Sequence, residues 1–173
     1  MLIRHAEKPD KDAGIAGVAV AGAPDKDELS VRGWQRAGAL VRYFNPRPPA
    51  GIAGGLAAGL AVPGAIFATA PTAVSPSKRP LHTVKPLAAD LGLEVRKDFV
   101  EHQEKELLAA ALEAAPAVLI SWHHERIARI VEPLGIALGP WPEAVFDRVL
   151  VLDRSDSGWT LRVVHQLLLP GDT

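Results

Sequence analysis

The chain has 173 residues, 48% of them hydrophobic and 23% charged, with a formal net charge of −1. That length and balance suit one globular domain spanning residues 1–173, and near-neutrality excludes a global field that would draw nucleic acid or an anionic membrane. The absence of cysteine excludes disulfides, thiolate nucleophiles and zinc–thiolate sites, and it leaves the six histidines as the groups for chemistry near neutral pH.

No apolar run reaches the roughly 18 residues needed to span a bilayer, and the first residues lack the regions of a signal peptide. A soluble, cytoplasmic protein is expected. The chain opens with the apolar Met1-Leu2-Ile3 and runs straight into Arg4-His5. That pattern predicts a short buried strand ending in a cationic pair. A first strand of three residues is short, as though some residues of it had been lost. In open α/β sheets ligands bind at the carboxyl ends of the strands. An Arg there offers a planar fork of donors that fits phosphate oxygens. A neutral imidazole beside it can attack phosphorus. Taken alone, the dipeptide reads equally as a charged turn.

Residues 6–29 show neither helical nor strand periodicity and predict a loop beside the strand end. Glu7 and Lys8 are close enough in sequence to line a pocket or to remain solvated charges. Ser30 is the predicted N-cap of a helix from Val31 to Phe44, with an apolar stripe at 37, 40, 41 and 44. Asn45-Pro46 ends it. Residues 46–63 read as either a loose helix or a loop. Gly64–Ala70 predicts a buried strand, followed by a turn-rich segment. A helix from Lys78 to about Leu91 follows. Pro80 fits its first turn, whereas Pro86 should kink or restart it. A helix N-terminus after a parallel strand favours anions, so Arg79 is better placed there with an anion than without one.

Leu93–Phe99 alternates and predicts a strand; residues 103–114 predict a helix. Ala117–Trp122 is a buried-type strand ending in His123-His124-Glu125. Ile127, Ile130, Val131 and Leu134 mark one face of the next helix. Residues 145–153 and 159–165 predict two strands joined by a turn at Asp156-Ser157-Gly158. His165 is expected to face solvent or pack locally rather than join the site, and Trp122, Trp141 and Trp159 to pack.

Four of these segments resemble the histidine phosphatase (phosphoglycerate mutase-like) superfamily. Arg4-His5 is similar to its "RHG" or "RHAE" signature. Leu29-Ser30-x-x-Gly33-x-x-Arg36-Ala37-x-x-Leu40 resembles its first helix. Ser75-to-Thr83 resembles its "S-x-x-x-R-A-x-Q-T" element, with His82 where Gln is usual. Val118-to-His124 resembles the strand carrying its second catalytic His, with His124 in place of the usual Gly. The resemblance implies a three-layer α/β sandwich with a mostly parallel central sheet and helices on both faces. It implies a phosphatase, acting on a phosphomonoester or a phosphoprotein through a phosphohistidine, without metal or other cofactor. His5 would be the nucleophile, Arg4 and Arg79 the phosphate ligands, and His123 or His124 the second catalytic His. Asp98, Glu101 and Glu104 are candidates for the leaving-group acid, beside Glu7 and Lys8 as further substrate or acid residues. The short segment between Arg79 and His123 leaves little room for a cap domain. A non-catalytic phosphate-binding module, a mutase-type phosphotransferase and a metal site built from His82, His123 and His124 are the rival readings.

Overall fold

The apolar runs at 65–68 and 118–122 are too short to be stable helices and become adjacent strands. The computed structural model describes residues 1–48 and 55–173. Among these, the sheet comprises β1 (Leu2–Arg4), β2 (Ala65–Ala68), β3 (Val95–Arg96), β4 (Val118–Trp122), β5 (Arg148–Ser155) and β6 (Gly158–His165). Its order is β3-β2-β4-β1-β5-β6, parallel from β3 to β1 and antiparallel at β5 and β6. The helices are α1 (Val31–Phe44), α2 (Arg79–Leu91), α3 (Glu104–Ala114) and α4 (His124–Val131).

Alternation along the strands sorts the core into two layers. Leu2, Phe67, Ile120, Trp122 and Leu150 pack against α3 and α4 through Leu107, Leu108, Ile127 and Ile130. Ile3, Ile66, Leu119 and Val149 face the other way, onto Leu40 and Phe44 of α1 and Val84 and Leu87 of α2. The three-layer sandwich expected from the sequence is the one found. β1 continues into α1 and β4 into α4, and these helices lie on opposite faces. The chain therefore parts between β1 and β4, at the kind of switch point where α/β sheets open a crevice.

Several boundaries differ from the sequence-based expectation. The alternating stretch 93–99 pairs only over Val95–Arg96, because β2 alone borders that edge, at Ile66 and Phe67. Residues 145–147 do not join β5; the Val145 carbonyl instead accepts from Trp141 and Arg4. Pro86 neither breaks nor restarts α2, whose buried Thr83, Val84, Leu87 and Ala88 hold it against the sheet on either side of the ring. Of the ambiguous 46–63 stretch, 49–54 lie outside the described residues, and 55–63 form no helix or strand.

The N-cap of α1 explains one glycine. Ser30 accepts the Gly33 N–H at 3.1 Å and donates through its own N–H to the Glu7 carbonyl at 2.9 Å. This clamps the first turn of α1 onto the loop after His5. A Cβ on Gly33 would lie 2.5 Å from the Glu7 carbonyl oxygen, so only a residue without one fits. Gly33→Ala is expected to cost roughly 1–3 kcal/mol, as overpacking does, measured by urea unfolding. A loss within the scatter of surface substitutions would show that the clamp yields freely.

Candidate active site

The pairing of β1 with β4 sets the site. Arg4 lies opposite Trp122, and the His5 N–H donates to the Trp122 carbonyl at 3.1 Å. The residues that follow, His5 and His123, are therefore neighbours, with ring centroids 5.8 Å apart and planes at 74°. His124 approaches His5 as well, at 6.3 Å and 83°. The structure thus brings both candidate histidines to His5 rather than choosing between them.

His5 is buried, and its Nδ1 lies 2.8 Å from the Ala6 carbonyl. A carbonyl only accepts, so Nδ1 carries the proton and Nε2 keeps its lone pair. The next N–H, of Ala6, donates to Thr83 Oγ1 at 2.8 Å, and that hydroxyl donates to the Arg79 carbonyl at 2.8 Å. One hydroxyl thereby joins the loop of His5 to the helix of Arg79. Burial, followed by the charges of Arg79 and Arg4 and by His123, drives the His5 pKa well below its ordinary value, against the Ala6 bond, which raises it.

Arg4 is 1% exposed. Its Nη1 donates to the carbonyls of Pro142, Glu143 and Val145. Its guanidinium lies 3.8 Å over the ring of Phe146. The other edge, Nε with Nη2, is buried and has no hydrogen-bond partner among the described residues. That edge is the two-donor fork suited to a carboxylate or phosphate. Arg79 repeats the arrangement less completely: Nη1 donates to the Lys26 carbonyl at 3.3 Å, while Nε is buried and unpartnered. Burial pulls the Arg4 pKa down to about 10 and that of Arg79 below its ordinary value. Buried guanidinium donors left open are costly, and an anion between them would remove that cost.

His123 Nε2 is 3.3 Å from Glu101 Oε1, without the alignment of a hydrogen bond. Ser75 donates to the same carboxylate oxygen. Of the three acid candidates, Glu101 is the one set against a site histidine. Glu104 is instead bonded to Arg126. Burial holds both His123 and His124 below the ordinary imidazole value; Glu101 opposes this at His123, and Arg4 adds to it at His124.

The remaining residues singled out in the sequence have their own partners. The Glu7 carboxylate binds Arg36 at 2.8 Å and Arg32 at 3.1 Å. Lys8 pairs with the exposed Glu143 at 2.7 Å. His82 is not gathered with His123 and His124 but binds Glu28 at 2.6 Å and packs on Trp34. No group of three or more His, Cys, Asp or Glu among the described residues is arranged to hold a metal. His165 is partly covered and bonds Asp147 at 3.1 Å. Trp122 is fully buried, whereas Trp141 and Trp159 are partly so. Sequence reasoning missed Phe146, the carbonyls of 142–145 and Asp172, which come from distant, unpatterned segments.

No profile of a known protein family matches the chain, and no curated protein matches it in sequence. A crystal structure of an Escherichia coli protein assigned as an alpha-ribazole-5'-P phosphatase matches it in fold. The two are 16% identical, with a TM-score of 0.55 over 95% of this chain and 94% of the other. The likeness extends over nearly all of both chains and shows a shared fold. No helix among the described residues is long and apolar enough to cross a membrane.

Behind the site, Arg36 is buried between Glu7 and Asp172, at 2.8 and 2.7 Å. Burial alone would raise the Asp172 carboxyl, but bonds from Arg36 and from the N–H groups of Leu168 and Leu169 bring it down to about 2. A carboxyl depressed in the folded state stabilises above its unfolded pKa and ceases to do so as pH falls through the folded one. Asp172→Asn is therefore expected to cost about 2 kcal/mol near neutral pH, the gap from wild type closing between roughly pH 4 and pH 2. Unfolding midpoints across that range check this, and a gap independent of pH would refute it.

Proposed function

We propose that this protein is a phosphatase of the histidine phosphatase type, hydrolysing a phosphomonoester or phosphoprotein through a phosphohistidine on His5. One observation carries the reading: a buried neutral imidazole, with Nδ1 tied to a carbonyl and Nε2 free, stands beside the buried guanidinium of Arg4 and the half-buried one of Arg79, each with an open buried donor. Such donors bind the oxygens of a phosphoryl group and hold the charge it spreads in flight. The shared fold with the Escherichia coli protein supports the same class.

In this mechanism Arg4 grips two oxygens through Nε and Nη2, and Arg79 and His123 hold the rest. His5 Nε2 attacks phosphorus in line. The bond from phosphorus to the ester oxygen breaks, and that oxygen takes a proton from the Glu101 carboxyl. A phosphohistidine and a free alcohol result. Water then gives a proton back to Glu101 and attacks phosphorus; the phosphorus–nitrogen bond breaks, releasing phosphate and neutral His5. The cationic side chains supply the charge that a metal ion provides elsewhere. The segment between α2 and β4 holds only β3 and α3, so it carries no cap domain over the crevice. This suits an open site and favours hydrolysis over mutase chemistry, which must retain its substrate for re-phosphorylation.

Hydrolysis of an aryl phosphate in the presence of chelator tests the reading. Wild type should turn over, His5→Ala should not, and rapid acid quench should trap phosphate on His5. An inactive wild type would instead favour a phosphate-binding module, and turnover surviving in His5→Ala would mean that His5 is not the nucleophile.

The pH profile gives an independent check. His5 must be unprotonated to attack, and its pKa lies well below the ordinary 6.5. The acidic limb of kcat/KM that belongs to His5 should therefore fall below pH 6.5. A limb at or above the ordinary imidazole value would overturn the assigned electrostatics.

A further inference from the structure

Glu104 is a buried carboxylate, 4% exposed, on the first turn of α3. It accepts from the His102 N–H at 3.2 Å, from Trp122 Nε1 at 3.3 Å, and from Arg126 Nε and Nη2 at 2.9 and 2.8 Å. These donors lie in three segments. His102 directly follows Glu101, Trp122 directly precedes His123, and Arg126 is on α4, whose first residue is His124. Arg126 Nη2 also reaches His102 Nδ1 at 3.1 Å. His102 is held at φ +77°, a left-handed conformation that costs energy in a residue with a side chain and persists only where the surroundings enforce it. Burial alone would raise the Glu104 pKa, but bonds from Arg126, His102 and Trp122 outweigh it and keep the carboxylate charged.

We propose that Glu104 is a positioning residue, which sets Glu101 against His123 by bonding at once to the turn after Glu101, to the strand end before His123 and to α4. The proposal rests on the phosphatase reading above and assigns the control of its acid. The Glu101 side chain reaches His123 from a turn that lies outside any helix or strand. Ser75, on the turn-rich segment after β2, bonds its oxygen. Neither contact fixes the backbone of that turn. Gln103 closes it locally, its N–H donating to the Val100 carbonyl and its Oε1 accepting from the Val100 N–H. The bond from His102 N–H to Glu104 ties it to the carboxylate that also holds Trp122 and Arg126. The two sides of the pair thus share one anchor.

A misplaced acid has a distinctive signature. A p-nitrophenolate leaves phosphorus without a proton, but an alkoxide needs one as the phosphorus–oxygen bond breaks. Loss of positioning should therefore damage hydrolysis of alkyl phosphates far more than of aryl phosphates, as loss of the acid itself would. A general loss of packing would damage both alike.

The test compares kcat/KM of wild type, Glu104→Gln, Glu101→Gln and the double variant on p-nitrophenyl phosphate and glycerol phosphate. Glu104→Gln should lose at least about tenfold more on the alkyl ester, within the range that general acids contribute. That selective loss should largely vanish in the Glu101→Gln background. Equal losses on the two esters, or additive losses in the double variant, would overturn the proposal. Should Glu104→Gln fail to fold, Arg126→Gln removes the partly exposed side of the anchor and is judged by the same ratio.

A second readout does not need turnover. His123 faces Glu101, Glu125, Arg79, Glu104 and His5. Glu101 raises its pKa, so displacing Glu101 should lower it. NMR titration should show a larger downward shift from Glu104→Gln when Glu101 is present than when it is Gln. Equal shifts would overturn the positioning role. Failure of wild type to hydrolyse either ester would defeat the phosphatase reading alone, and the titration would still decide this one.

Discussion

The parallel pairing of β1 with β4 is the constraint on which the site depends. Two short strands, buried on both sides, meet in a register that sets Arg4 opposite Trp122. The chain then leaves them toward opposite faces of the sheet. His5 and His123 are left side by side at the bottom of the crevice, one on each strand end. A slip of one residue in that register would turn every side chain of β1 to the wrong layer. Leu2 and Ile3, which fill different cores, make such a slip costly.

Positive charge is buried there without an equal measure of negative charge. Arg4 uses backbone carbonyls and the face of Phe146 for support, not a carboxylate. Carbonyls and aromatic faces partly compensate a guanidinium and leave its charge available. Arg36 shows the contrast. It is as deeply buried, but Glu7 and Asp172 neutralise it, and its bonds to them raise its pKa despite the cost of burial. One buried arginine is thus structural and the other is open to an anion. With burial, the same open charge lowers the proton affinity of His5 and leaves its Nε2 unprotonated.

Two buried carboxylates hold the surroundings in place from different sides. Glu7, with Arg36 and Asp172, ties the loop after His5 to α1 and to the end of the described chain. Glu104, with Arg126, ties the turn of Glu101 to β4 and α4. Neither works by adding much net stability, since desolvation offsets most of the attraction in a buried pair. Each instead joins segments that no strand pairing connects.

Much of the architecture was legible in the chain by itself. Apolar runs bounded by Gly and Pro marked β2 and β4. The Ser30 cap and the stripe at 37, 40, 41 and 44 marked α1 within its observed bounds. Arg4, His5, Arg79 and His123 stood at strand ends or a helix start, where local pattern suffices to find them. Pro86 misled as to a restart of α2, which packing on both sides of the ring holds as one helix. Residues 145–147 misled as well, because their carbonyls were claimed by an arginine more than 130 positions away. Which carboxylate met His123, what supported Arg4 and what Glu7 was bound to all depend on contacts between distant segments, and no periodicity encodes such contacts. The order and character of the elements were set by local hydrophobic pattern and capping, which the sequence carries residue by residue. The partners of each charge were decided only by the tertiary structure, because burial and distance give a side chain its chemistry and both arise when the elements pack.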